Sequence, residues 1–358
     1  MHTDLTTLCI PEGRSIMDAV GRMDASRLGI VLVVDATGRL RGTITDGDVR
    51  RALLAHIDLK EPLDVLLAAK AGSRYERPIT APIDAERSTY LRLLQEHSIL
   101  HLPLLDAEGR VRGLVTLDDF VPKDLLPLQA VIMAGGFGQR LRPFTEDVPK
   151  PMLPVGDRPL MEITIEQLRT AGIRRVNITT HHKAEKITEH FGDGRDFGIE
   201  ISYVTEERPL GTAGGLGLID VPDETVLLMN GDILTEVDFR SMLAFHREHR
   251  AEVTVGVRQY AVDVPFGVVE CDDVEIRRLT EKPRLNLLIN AGIYLLEPGV
   301  RQFIPAGERF DMTDLIARLL DAGRRVVSFP IREYWLDVGQ PADWQRAQEH
   351  VKDGKLRS

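Results

Sequence analysis

Apolar residues fall in short blocks along the chain, and block length separates strands from helices. The stretches 30–34 and 100–105 are largely apolar and of strand length, which predicts buried strands. Each is followed by Asp-Ala-x-Gly, at 35–38 and 106–109, a hairpin turn signal. A second short strand then ends at Thr-x-x-Asp, and a helix is expected after it. Beyond residue 128 the pattern changes. The stretches 129–134, 176–179 and 225–230 read as buried strands, and 160–171, 184–191 and 239–249 as helices. Pro159 suits a first helical turn and Gly172 a helix end. This alternation predicts an α/β domain of Rossmann-like layering, with a mixed, mostly parallel sheet between helices. In such sheets ligands bind beyond the carboxyl ends of the strands.

The first third is an internal repeat. Residues 35–48 align with 106–119 at a constant offset of 71 residues, and Asp, Ala, Gly, Arg, Arg, Gly, Thr and Asp recur at matched places. Two copies are too few for a solenoid, so the pair reads as one module. Here the sequence resembles the CBS domain family, whose paired copies form a tandem (Bateman) module. The resemblance implies an adenine nucleotide at Thr45 and Asp48 in the first copy and at Thr116 and Asp119 in the second. A hydroxyl can donate to phosphate, and a carboxylate can accept from ribose hydroxyls. The same residue types before a helix also cap it, and both readings stand. The family further implies a homo-oligomer joined through CBS pairs. Prolines at 122 and 127 predict a linker at 123–128, between a module at 1–122 and a second domain at 129–358.

Composition narrows the class. Hydrophobic residues make up 43% and charged residues 28% of 358, as in an ordinary globular chain. No apolar run approaches the roughly 18 residues of a membrane span, and the N-terminus does not read as a signal peptide. Cys9 and Cys271 lack metal-ligand spacing and read as reduced thiols. A cytoplasmic location is the expectation. The net charge of −10 argues against nucleic-acid binding, which needs a basic footprint, but leaves room for small anionic substrates.

The candidate chemistry follows the strands. After 129–134 comes Gly135-Gly136-Phe137-Gly138-Gln139-Arg140-Leu141. Closely spaced glycines let backbone N–H groups crowd an anion, and Arg140 adds a fixed charged fork. The loop lacks the Gly-Lys-Ser/Thr of a Walker A motif and the third glycine of a dinucleotide fingerprint. Pro149-Lys150-Pro151-Met152 follows. With these residues the chain resembles the sugar nucleotidyltransferase (NDP-sugar pyrophosphorylase) family, over about 129–345. The resemblance implies that Gly135, Gly136 and Gly138 cradle phosphate while Arg140 and Lys150 bracket the triphosphate. In Glu206-Glu207-Arg208-Pro209-Leu210-Gly211-Thr212, it implies that Gly211 and Thr212 lie under base and ribose and that Glu206 reads the base edge. Asp232, in Asn230-Gly231-Asp232, and Asp337, in Trp335-Leu336-Asp337, match the family's metal-binding aspartates. Carboxylates at strand ends suit Mg²⁺ held against phosphates. Lys282 is implied to meet the sugar phosphate, and Asn230, Glu281, Asn290 and Gly292 to line the sugar.

The implied reaction joins a nucleoside triphosphate to a sugar 1-phosphate and releases pyrophosphate. An acceptor-only carboxylate at position 206 matches the two adjacent donors of guanine, which favours GTP. A shift of one residue would make Glu207 the reader, and UTP or dTTP is the alternative. In domain order the chain also resembles the CBS-bearing guanylyltransferases of bacterial nonulosonic (legionaminic) acid biosynthesis, which implies a glucosamine-type 1-phosphate. Mannose and heptose 1-phosphates are the other sugars in view. A nucleotide-sensing subunit that has lost catalysis is the non-enzyme alternative, but Arg140, Lys150, Asp232 and Asp337 are all present.

Overall fold

A computed structural model describes residues 1–73, 76–97, 99–120, 125–219 and 224–354. The chain divides into two compact units, Met1–Leu125 and Leu126–Ser358. Of the expected linker, residues 123 and 124 lie outside the described residues. Its last part belongs instead to the second unit. Leu126 and Leu128 are buried in that unit's core, and the Leu126 N–H donates to the Gly172 carbonyl at 2.7 Å. Two leucines that can reach an apolar core gain more there than in solvent.

In the first unit the two copies fold alike. Each makes a three-stranded sheet: Cys9–Pro11, Ile30–Val34 and Leu40–Thr45 in one, Ala81–Pro82, His101–Leu105 and Val111–Thr116 in the other. A parallel pair is followed by an antiparallel hairpin in both, with a register shift at the matched steps Val33/Val34 and Leu104/Leu105. The copies meet through their hairpins. Leu40 N–H donates to the Gly109 carbonyl at 3.2 Å, and Val111 N–H to the Gly38 carbonyl at 3.0 Å. These bonds exchange under the 71-residue offset, so the module has an internal pseudo-twofold. Leu8, Ile30, Leu32, Val111 and Leu114 from both copies form one buried cluster. The helix Asp46–Leu54 follows Thr45; after Thr116 the described residues form the 3-10 turn Leu117–Asp119, and the rest of the expected helix falls on 121–124, outside the described residues.

The second unit is built on a sheet of seven strands among the described residues. Its order is Glu200–Thr205, Arg175–Thr180, Gln129–Met133, Val226–Asn230, Arg284–Leu296, Val253–Asp263, Val326–Pro330. The first four run parallel, Arg284–Leu296 is antiparallel to both neighbours, and Val326–Pro330 is parallel to Val253–Asp263. The sheet is therefore mixed and mostly parallel, as the alternation predicts. Separate apolar clusters line its two faces. One gathers Ile132, Met161, Ile178, Met229 and Phe245, and the other Val131, Leu228, Tyr294, Met312 and Leu315. Neighbouring residues of one strand, such as Val131 and Ile132, divide between the clusters as a period of two demands. Gly172 ends the helix Leu160–Ala171 at φ 93°, where only a residue without Cβ is unstrained. Among the described residues no helix is long and apolar enough to cross a membrane.

Candidate active site

Strand Gln129–Met133 delivers the chain into the glycine loop at its carboxyl end. Gly138 adopts φ +63°, and a Cβ there would stand 3.0 Å from the Thr145 methyl. The loop is pinned from behind. Thr145 Oγ1 donates to the Gly138 carbonyl at 2.8 Å. Lys183 Nζ donates to the carbonyls of Thr145, at 3.3 Å, and Glu146. Arg140 follows in the 3-10 turn Gln139–Leu141 and is exposed. The exposed Phe137 ring meets His181 edge-on at 5.4 Å between centroids.

Asp232 and Asp337 lie 105 residues apart in sequence, yet one small ladder joins them. Ile233–Thr235 pairs antiparallel with Trp335–Asp337, placing Ile233 opposite Asp337. The Val338 N–H donates to the Asp232 carbonyl at 2.9 Å. Lys150 forms an ion pair with Asp232 Oδ2. Burial pushes the Asp337 carboxyl up to about 6, and the charge of Asp232 pushes the same way against Lys150 and Arg140. The four residues thus share one electrostatic environment. Asp232 Oδ1 and Asp337 Oδ1 are buried without a hydrogen-bond partner among the described residues. Unpaired buried carboxylate oxygens are costly, and a hard divalent cation is the partner that oxygen donors suit. The residues therefore fit Mg²⁺. No group of three or more ligating side chains forms among the described residues, so phosphate oxygens and water would complete the shell.

Glu206 is buried, with 5% exposure, while Glu207 is exposed. Its carboxylate lies between the glycine loop and Gly215: Cβ atoms at Gly135 and Gly215 would come within 3.5 and 2.9 Å of Glu206 Oε1. Glu206 Oε2 also accepts from Leu210 N–H at 2.9 Å, which closes its own loop. Gly211 and Thr212 open the short helix Gly211–Gly214. Thr212 is held by local bonds: its N–H donates to Asp311 Oδ1 at 2.9 Å, and its hydroxyl accepts from Met312 N–H at 2.8 Å. A Cβ on Gly211, at φ +79°, would fall 2.5 Å from Asp311 Oδ1, so glycine is required there.

On the sugar-side candidates, Gly292 adopts φ +67° and packs against Asn230; a Cβ would lie 2.5 Å from Asn230 Nδ2 and 2.7 Å from Ile233 Cδ1. Asn290 Oδ1 accepts from Gly292 N–H at 2.9 Å and its amide donates to the Tyr294 hydroxyl at 2.8 Å. Trp335 Nε1 donates to the Ala291 carbonyl at 2.9 Å, tying this strand to the Asp337 ladder. Glu281 and Lys282 are exposed. Lys282 has no ion-pair partner among the described residues and holds φ +43°.

A family model described as nucleotidyl transferase matches residues 129–354. The chain belongs to the nucleotidyl transferase family. A CBS domain model matches residues 1–55 and 76–123. Among relatives of this nucleotidyl transferase chain, mannose-1-phosphate guanylyltransferase of Mycobacterium tuberculosis is 35% identical over 63% of the chain and 65% of the relative. UTP–glucose-1-phosphate uridylyltransferase of Synechocystis is 33% identical over 64% and 65%. The match thus spans slightly less than two thirds of either relative's length. A Bacillus anthracis protein described as a glucose-1-phosphate thymidylyltransferase, solved with sucrose, superposes with TM-score 0.53 at 26% identity, covering 63% of this chain and 96% of that one.

In the CBS unit of this nucleotidyl transferase, Thr45 and Asp48 form a capping box: Asp48 N–H donates to Thr45 Oγ1, and Thr45 N–H to Asp48 Oδ2 at 2.8 Å. Asp48 is buried and paired with Lys70 at 2.5 Å and Arg51 at 2.6 Å. Burial alone would raise its pKa, but these cations hold it below the usual carboxylate range. The carboxylate that the resemblance assigns to a ribose is thus already held by two cations. Thr116 and Asp119 repeat the box, and Asp119 Oδ1 accepts from the Met1 amino group at 2.7 Å. Sequence reasoning did not single out Lys70, Thr145, Lys183, His181 or Asp311. None lies in a short motif, and each acts through a partner at least 7 positions away.

Proposed function

We propose that the chain condenses a nucleoside triphosphate, GTP in preference, with a sugar 1-phosphate of glucosamine type, yielding an NDP-sugar and pyrophosphate. The observation that carries this reading is the joining of Asp232 and Asp337 beside Lys150 and Arg140, at the end of the strands that also present the glycine loop. In the reaction the sugar phosphate oxygen forms a bond to the α-phosphorus as the bond to the β-phosphate bridging oxygen breaks. That nucleophile is already an anion, so the protein needs no general base. Its task is to hold two anions in line and offset their repulsion. Arg140 and Lys150 face the triphosphate in this reading, and Lys282 the sugar phosphate. Asp232 and Asp337 would hold Mg²⁺, which when bound supplies charge neutralisation on the phosphates.

The preference for GTP rests on Glu206. Its carboxylate is acceptor-only and can take N1–H and N2–H of guanine in charge-assisted bonds. Oε2 already accepts from Leu210 N–H, so base reading draws mainly on Oε1. The named relatives use guanylyl and uridylyl groups at similar identity, which makes UTP the reading to beat. The CBS pair is proposed to take an adenine nucleotide, adjust turnover and join chains in the cytoplasm.

A pyrophosphate-release screen across GTP, UTP, dTTP, CTP and ATP with glucosamine, glucose, mannose and heptose 1-phosphates tests the proposal. Turnover with GTP and glucosamine 1-phosphate above all other pairs supports it. Preference for a pyrimidine nucleotide overturns the Glu206 argument, and no turnover with any pair overturns the reaction.

A further inference from the structure

The segment that carries Lys150 is poor in backbone donors, because Pro149, Pro151 and Pro154 have no N–H. After the 3-10 turn Lys150–Met152 the chain enters a short hairpin, Pro154–Val155 with Arg158–Pro159. Leu160 N–H donates to the Leu153 carbonyl at 3.0 Å, so the alternation of an antiparallel ladder turns the next carbonyl, that of Pro154, outward. Only another element can donate to it there. The donors come from the last described helix, Pro341–Lys352. Trp344 Nε1 donates to the Pro154 carbonyl at 2.8 Å, and Gln348 Nε2 to the same oxygen at 2.7 Å. Gln348 Oε1 accepts from Gly156 N–H at 2.9 Å. Positions 344 and 348 share one helix face, which is why both reach one carbonyl. Val351 closes on the same turn: a Cβ on Gly156, at φ +70°, would stand 3.0 Å from Val351 Cγ1.

The same helix meets the other phosphate-side elements. The Trp344 and Phe144 rings lie 4.7 Å apart between centroids. Phe144 N–H donates to the Leu141 carbonyl at 3.0 Å, which closes the chain just after the turn that carries Arg140. At its start the helix continues the strand Trp335–Asp337. Leu336 and Val338 share a buried cluster with Val155, Leu160 and Ala347. One helix thus ties together the Lys150 turn, the Arg140 turn and the Asp337 strand. Trp344 and Gln348 are half-buried, and packing alone would accept apolar side chains of similar volume. What their polar atoms add is direction. Two donors on one carbonyl, and an acceptor for the N–H two residues on, set the angle at which the hairpin leaves the Lys150 turn.

We propose that Trp344 and Gln348 are positioning residues for nucleotidyl transfer: through the Pro154 carbonyl and the Gly156 N–H they hold Lys150 against Asp232, in place for the triphosphate. The step from Lys150 to the triphosphate rests on the function proposed above; the hold on Lys150 does not. A lysine is a point charge on a flexible stem, so its place is set by the backbone that carries it. A shift of about 1 Å in such a group can cost on the order of 100-fold in rate. No hydrogen bond among the described residues joins Trp344 or Gln348 to Lys282 or Asn290. The sugar phosphate should therefore feel their loss least.

The paired variant Trp344→Phe/Gln348→Met keeps an aromatic ring and a good helix former while removing the three bonds. Two measurements on the full chain test it. Labelling with limiting acetic anhydride, read by mass spectrometry, should acetylate Lys150 several-fold faster in the variant and leave the other lysines unchanged. Steady-state pyrophosphate release, with the fastest of GTP, UTP, dTTP, CTP and ATP, should show kcat/KM for the triphosphate lowered by about tenfold or more. KM for the sugar 1-phosphate should stay near the wild-type value. Unchanged labelling of Lys150, or a sugar-phosphate KM that rises as much as the nucleotide KM, marks a packing role and overturns the inference. Lys150→Met separates the two failures. If it leaves kcat/KM for the triphosphate unchanged, the reading of Lys150 falls; if it lowers kcat/KM while the paired variant does not, the positioning falls alone. Labelling decides the hold on Lys150 even where no substrate pair turns over.

Discussion

Replacing Asp337 with Asn separates a metal-binding role from a structural one, because the two roles predict opposite changes in stability. Asp337 has its carboxyl raised to about 6 by burial and by Asp232, and its Oδ1 lacks a partner among the described residues. A folded-state pKa above the unfolded value means stability is fully present below about pH 4 and is lost as pH rises toward 6. A rise from 3.8 to about 6 disfavours the ionised carboxyl at neutral pH, and with solvent screening at this half-buried group the cost is on the order of 2 kcal/mol. Asn removes the charge but keeps a polar group to satisfy, so a net gain of about 1–2 kcal/mol is expected without metal. For a unit of this size that is roughly 2–8 °C in melting temperature. Thermal melts at pH 7.5 in chelator should therefore place Asp337→Asn above wild type. Pyrophosphate release with Mg²⁺ should meanwhile fall by a factor of about 100 or more, as when a group acting on transition-state charge is lost. Magnesium with nucleotide should raise the wild-type melt by mass action and leave the variant nearly unmoved. A variant less stable than wild type in chelator, or one with full turnover, would refute the reasoning.

Other expectations follow from single contacts. Lys183→Met frees the carbonyls of Thr145 and Glu146 behind the glycine loop; KM for the nucleotide should rise several-fold with little change in the melt, and Lys183→Arg should restore much of it in steady-state assays. Gly292→Ala drives a methyl toward Asn230 and Ile233, and should cost about 2–3 kcal/mol in denaturant unfolding from left-handed strain and overpacking, with a raised KM for the sugar phosphate. His246 is buried between Thr254 Oγ1 at 2.7 Å and Glu297 Oε1 at 2.9 Å, and burial lowers its pKa. Because the unfolded chain takes the proton first, its share of stability is lost as pH falls below 6.5, and His246→Leu should be destabilised by about 1–3 kcal/mol at pH 7.5, a gap that narrows toward pH 5 in thermal melts. Calorimetry of the full chain with ATP, ADP and AMP checks the CBS pair; binding that strengthens in Lys70→Met would show that the Asp48 ion pair competes with ribose.

What the sequence determined is what depends on near neighbours. Strand and helix boundaries such as 184–191 follow from local periodicity, and the helix stop at Gly172 from one left-handed position. The 71-residue repeat foretold two like hairpins in one module; that they meet through exchangeable bonds came from the structure. The motifs around Gly135, Lys150, Asp232 and Asp337 named the candidate site, because the groups that meet phosphate and metal sit in short, recognisable runs. Tertiary structure decided the rest. No local rule pairs Asp232 with Asp337; a three-residue ladder does, and the burial it imposes is what raises the Asp337 carboxyl. Nor does spacing reveal that Asp48 is held by Lys70, that Glu206 closes on Leu210 N–H, or that Thr145 and Lys183 brace the glycine loop. The apolar residues at 260, 285 and 287 belong to no motif that the sequence singles out. Only the point where the neighbouring strands stop leaves them uncovered, because burial is a property of what packs across a strand and not of the strand itself.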